Sequence, residues 1–241
     1  FVLVFISFLI SLSIFNVKPQ NVSDGVFENE LPVIIVDAGH GGFDGGASTQ
    51  DGVSEKGINL NIALHLKEYL NFFGFKVVMT RETDTSTEDA GLTTIRSKKS
   101  SDLHNRMELM QNTENAIFVS IHQNHFSSPK YYGAQVFYSK NFSEKSSFLA
   151  ESIQESIVYF LQPNNTRQIK PCGTSVYLIN NAVKPAVLVE CGFLSNYEES
   201  EKLKTEEYQK QMALSIAVGI LNITIVIICF VFFARCSPSS S

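Results

Sequence analysis

The sequence predicts a single α/β domain with a mostly parallel, twisted sheet flanked by helices. Three observations predict it. Across residues 31–221, short apolar runs alternate with segments in helical spacing. Several of those runs are continuous, as buried strands are. The stretch holds about 190 residues, enough for one good core, and shows no internal repeat.

The elements follow in order. Residues 33–36 (VIIV) form the first strand and run into D-A-G-H-G-G. Ile58, Ile62, Leu66, Tyr69 and Phe73 recur at helical spacing, and Gly74 stops that helix. Residues 75–80 (FKVVMT) are the next strand. Residues 83–99 are polar and read as a long surface loop, a kind of segment that is often functional. Leu103, Met107 and Met110 mark a short amphipathic helix. Residues 116–121 (AIFVSI) are a buried strand, and residues 134–138 are strand-like. Residues 148–161 form a helix ended by Pro163 and the Asn pair after it. Residues 176–179 and 186–189 (AVLV) are two more strands, and residues 206–221 a closing helix.

Both ends of the chain are hydrophobic. Residues 1–15 contain three Ser as their only polar residues. The run falls short of the roughly 20 residues that cross a bilayer. No small-x-small cleavage signal follows it, which favours an uncleaved anchor over a removed signal peptide. The expected organisation is an anchor at 1–17, a polar linker at 18–30, a catalytic domain at 31–221 and a tail at 222–241. The anchor would place the domain outside the cytoplasmic membrane; a cleaved segment would make it secreted. The apolar run at 223–234 has three readings: part of a second span, a terminal strand, or a tail without a role. Residues 237–241 are Ser-rich and low in complexity.

Composition excludes some functions. Lys and Arg number 19 against 24 Asp and Glu, a net charge of −5, so the chain is not a basic nucleic-acid binder. With 44% hydrophobic and 18% charged residues it is not disordered. The four Cys include no C-x-x-C pair, and free, inert thiols are expected. The Walker pattern, G-x-G-x-x-G, G-x-S-x-G and H-E-x-x-H are all absent.

In open α/β sheets, ligands bind beyond the carboxyl ends of the strands. After VIIV come Asp37 and His40, after AIFVSI comes His122, and after AVLV comes Glu190. Three strand ends thus deliver His, His and Glu to one edge. Two imidazoles and a carboxylate form a common catalytic zinc set. The third ligand is Glu190 itself or another acid nearby, and Glu55, which opens the helix after the Gly-rich segment, is a candidate. That segment has five Gly between positions 39 and 46, so its backbone can close around a site.

The motifs D-A-G-H-G-G-F-D-G-G-A, S-E-K-G-I-N-L, M-T-R-E-T-D-T, S-I-H-Q-N and P-A-V-L-V-E-C-G-F-L-S-N stand in that order. Together they resemble the zinc-dependent N-acetylmuramoyl-L-alanine amidases of the Amidase_3 family. The resemblance covers residues 32–220. It implies His40, Glu55 and His122 as Zn²⁺ ligands and Glu190 as the catalytic acid and base, which decides between Glu55 and Glu190 by resemblance alone. Arg81 and Asn124 match family motifs as substrate or support residues. The implied activity is hydrolysis of the amide between N-acetylmuramic acid and L-alanine in peptidoglycan. An anchor followed directly by the domain is similar, more narrowly, to family members that act on spore cortex during germination. An activator protein is a partner that some relatives need. His125 departs from the family pattern, and so does the apolar tail. Two other readings are a zinc peptidase on stem peptides and a wall-binding protein without catalysis. Retention of all four site residues argues against the second.

Overall fold

The computed structural model describes residues 31–236, with side chains to residue 224. The expected anchor at 1–17, the linker at 18–30 and the Ser-rich end at 237–241 lie outside the described residues. Six strands form one sheet: β1 (Val33–Ala38), β2 (Val77–Met79), β3 (Ala116–Asn124), β4 (Gln135–Tyr138), β5 (Lys170–Pro171) and β6 (Ala186–Phe193). Their order is β2-β1-β3-β6-β4-β5. All neighbours are parallel except β4 and β6, which run antiparallel. The mostly parallel α/β sheet expected from the alternation is therefore present.

Six helices complete the described residues: α1 (Glu55–Phe72), α2 (Ile95–Asn112), α3 (Ser143–Phe160), α4 (Tyr177–Asn180), α5 (Tyr197–Leu203) and α6 (Glu206–Cys236). The two sheet faces carry separate cores. Ile34, Val36, Val119, Ile121, Val187 and Val189 face α1, α3 and α6. Ile35, Phe118 and Leu188 face α2 and α4. This two-sided burial explains the unbroken VIIV run: alternation has no solvent side to report.

Three sequence expectations need correction, and one short strand was not foreseen. Residues 176–179 are not a strand; α4 occupies that run, and Leu178 and Ile179 are buried in the smaller core. Four apolar residues bury equally well as one helical turn, so periodicity could not choose. The segment 83–99 is not all loop, because α2 begins at Ile95 and runs 18 residues. Its N-cap Thr94 accepts a hydrogen bond from the Ser97 amide. The first turns of α2 are half-buried or exposed and carry no apolar stripe to announce them. The edge strand β5, two residues with a proline, was not anticipated; proline is tolerated there because an edge strand can spare a donor. Finally, the closing helix does not stop at residue 221. It continues to Cys236, which removes the terminal-strand reading of the tail. Among the described residues no helix is long and apolar enough to cross a membrane. Cys172 and Cys191 are free and buried. Burial pushes the Cys172 thiol up to about 11 and Cys191 higher still, so both are inert at neutral pH.

Candidate metal centre and active site

The site assembles at the carboxyl ends of β1, β3 and β6, where the chain leaves the sheet. After β1, the Gly-rich segment folds back on itself through the Gly41–Asp44 bridge. It then caps α1. The Glu55 amide donates to Ala47 O at 2.8 Å and the Lys56 amide to Gly45 O at 3.2 Å. These are two of the amides that a helix start leaves without partners. In return, the Ala47 amide donates to Glu55 Oε2 at 2.9 Å. The first residue of α1 is thus tied to the loop by both its backbone and its side chain.

This tie brings Glu55 between two imidazoles. Its Oε2 lies 3.3 Å from His40 Nε2, and its Oε1 lies 3.0 Å from His122 Nδ1. The two rings meet edge to face, with centroids 4.8 Å apart. One donor atom from each of His40, Glu55 and His122 lies within 4.8 Å of the others, a group that could hold a metal ion. Glycine is required close by. A Cβ at Gly39 would overlap the His122 ring. Gly46 has φ +68°, and a Cβ there would press on Glu55 and His40.

Neighbouring groups orient the donors. Asp44 accepts from His40 Nδ1 at 2.9 Å and is itself held by Lys99 Nζ at 3.0 Å. That acceptor places the His40 proton on Nδ1 and turns Nε2 toward Glu55. Glu55 Oε1 also accepts from Asn59 Nδ2 at 3.1 Å and from the Gln123 amide at 3.0 Å. Burial opposes the Glu55 charge, but the His122 and His40 hydrogen bonds outweigh it and hold the carboxyl well below the usual range. Burial likewise opposes a charged His40, yet Glu55 and Asp44 raise its proton affinity. A carboxylate held ionised between two imidazoles can attract a cation.

Glu190 stands in register beside His122 across the β3–β6 pair. Its Oε2 is buried and has no hydrogen-bond partner. Burial, with the charge of Glu55 adding to it, pushes this carboxyl up to about 7. Arg81 is buried beneath the site, where its donors go to backbone carbonyls. Asn124 ends β3 past an irregularity in register, and its carbonyl accepts from Leu194 N at 2.8 Å. It is not part of the three-residue group. His125 is exposed just beyond the strand.

The family profile described as N-acetylmuramoyl-L-alanine amidase, Amidase_3, matches residues 34–222. The chain belongs to the Amidase_3 family. As an Amidase_3 enzyme it is a hydrolase of peptidoglycan that cleaves the amide between N-acetylmuramic acid and L-alanine. Among its relatives is the germination-specific N-acetylmuramoyl-L-alanine amidase of Bacillus subtilis (strain 168). The two are 37% identical over 221 residues, 90% of this chain and 91% of the relative. A solved structure of the CwlD amidase from Clostridioides difficile, in complex with the GerS lipoprotein, superposes with a TM-score of 0.78. That pair is 42% identical, covering 81% of this chain and 100% of the other. The catalytic domain of CwlV, an amidase of Bacillus (Paenibacillus) polymyxa var. colistinus, gives a TM-score of 0.67 at 30% identity. It covers 81% of this chain and 99% of its own.

Sequence reasoning missed three supports of this amidase site: Asn59, Asp102 and Arg106. Each carried a signal. Asn59 interrupts the buried stripe of α1 beside Ile58 and Ile62. Asp102 and Arg106, four apart, flank Leu103 and Met107 on the buried face of α2. Polar residues inside an apolar stripe are candidates for buried work.

Proposed function

We propose that His40, Glu55 and His122 hold Zn²⁺ and that Glu190 is the general base and acid of the amidase reaction. The observation that carries this is the convergence of the three donors within 4.8 Å. The orphaned buried oxygen of Glu190 stands one strand away. The donor set fits the ion: two imidazoles and one carboxylate are a common catalytic zinc triad with a fourth position left open. Bound zinc would supply a Lewis acid that polarises the scissile carbonyl and acidifies water. Glu190, raised to about 7 by burial, would take a proton from the attacking water. It then returns that proton to the departing amino group of L-alanine. Asp44 keeps His40 in the ligating tautomer throughout.

The substrate setting we propose is spore cortex peptidoglycan, supported by the germination-specific relative. An activating lipoprotein partner is supported by the complex solved for the C. difficile relative. Residues 1–17 would anchor the enzyme outside the cytoplasmic membrane, with the linker at 18–30, the catalytic domain from Leu31 to 221 and the tail at 222–241.

Metal analysis of the purified chain, paired with mass spectrometry of digested cortex and vegetative peptidoglycan, tests the reading. One zinc per chain is expected, with new L-alanine amino termini and intact glycan from cortex. Cleavage inside the stem peptide, or full activity in zinc-free protein, would overturn it.

A further inference from the structure

Beneath the candidate metal centre lie two buried guanidinium groups that the reaction does not use. Arg81 is 4% exposed and Arg106 2% exposed. They come from different elements, Arg81 from the segment after β2 and Arg106 from α2. Both reach the carbonyls of Ala38 and His40, and Arg81 also reaches that of Gly39. Arg81 Nε donates to Ala38 O at 2.9 Å and to His40 O at 2.8 Å, and Nη2 to Gly39 O at 3.0 Å. Arg106 Nη1 donates to Ala38 O at 3.0 Å and Nη2 to His40 O at 2.7 Å. The carbonyls of Ala38 and His40 therefore each take one donor from each arginine.

These carbonyls flank an unfavourable backbone. His40 has φ +60°, in the left-handed region that side chains other than glycine rarely adopt. Such a conformation persists only where its surroundings over-determine it. The Gly-rich segment after it supplies no rigidity of its own. The arginine pair supplies it, and two acids match its charge. Arg106 pairs with Asp37 Oδ1 at 2.6 Å and with Asp102 Oδ2 at 2.9 Å. Asp37 also takes hydrogen bonds from Ser120 and from Thr80. Two buried cations and two buried carboxylates thus form a neutral shelf under a site that accepts a cation.

We propose that Arg81 and Arg106 are positioning residues that clamp the Ala38–Gly39–His40 carbonyls and thereby fix His40 for zinc. The clamp rests on the zinc reading of the site. It needs the planar fork of arginine: Arg106 alone serves Asp37, Asp102, Ala38 and His40, a spread that a lysine ammonium cannot reach from one point.

The test uses the full chain in detergent, stripped of metal, with Arg106→Lys and Arg81→Lys beside the wild type. Both changes keep the charge and remove the fork. Zn²⁺ affinity is read by competition with a fluorescent chelator, and metal-free folding by thermal melting. Each variant should melt cooperatively and bind Zn²⁺ about 10–100-fold more weakly. Saturating zinc should restore kcat, with KM unchanged. Affinity within twofold of wild type in a cooperatively melting variant overturns the clamp. So does a kcat that saturating zinc leaves low. If Arg106→Lys fails to fold, Arg81→Lys decides; if neither folds, the pair is structural and the clamp is refuted. A wild type that binds no zinc removes the metal reading and the clamp together. A wild type that binds zinc as its variants do removes the clamp alone.

Discussion

At the scale of single residues, the site depends on which oxygens are shared and which are left alone. Both Glu55 oxygens are committed, to His40, His122 and three other donors, so Glu55 cannot also shuttle protons. Glu190 has the opposite character, with one buried oxygen uncommitted. Glu190→Gln should therefore keep zinc binding and the melting temperature while kcat falls by about 10²–10⁴-fold, the usual share of general acid–base catalysis. Muropeptide release together with zinc analysis checks this, and an active Gln variant would remove Glu190 from the mechanism. His40, His122 and Glu190 were legible in the sequence because each closes a buried apolar run. Periodicity left Glu55 and Glu190 as rival ligands, because it says nothing of how a loop returns. In the structure the cap that ties Glu55 to Ala47 brings Glu55 between the two imidazoles.

At the scale of elements, the arrangement turns on contacts that a strand or helix pattern records only in part. The β1, β3 and β6 runs were readable because both sheet faces are covered. The run that became α4 was not, since burial alone does not choose between a turn of helix and a short strand. The α3–α6 contact has the clearest single point of failure. Gly219 of α6 lets the helix backbones meet, and a Cβ there would stand 2.6 Å from Ile153 Cα. Ser152 and Ser156 seal the contact by donating to the carbonyls of Gly219 and Ser215. Gly219→Leu should destabilise the domain by about 1–3 kcal/mol through overpacking. Chemical denaturation would show this as a lower midpoint. An unchanged midpoint would mean that the helices can separate at no cost.

At the scale of the whole molecule, one sheet carries two cores, and the site sits where three of its strands end. The donors come from the segment after β1, from α1 and from β3, so a bound ion would join three separate stretches of chain. Zinc held at about 1,000 times its dissociation constant should raise stability by about 4 kcal/mol. Melting curves with graded zinc would show a rising midpoint. Chelation should abolish amidase activity without unfolding the sheet, and added zinc should restore it. A midpoint indifferent to zinc would show that the ion does not select the folded state. The domain's extent was legible from its alternation. The Arg81–Arg106 shelf was not, because it joins residues 25 apart in sequence through carbonyls that have no sequence signature.

The tie between the Gly-rich segment and α1 also decides where the chain can change length. The bridge between Ser48 and Ser54 closes a short surface excursion whose base is pinned while Asp51 and Gly52 at its tip are exposed. One extra residue after Gly52 would lengthen only that excursion, and activity should survive it. One extra residue between Glu55 and Ile58 would turn the carboxylate by about 100° relative to the buried stripe of α1, one residue's rotation in a helix. Glu55 would then point away from both imidazoles. Paired insertions at these two places should give one working enzyme and one dead one. The tolerance of this family to insertions and deletions would then be set by helical phase more than by distance from the chemistry.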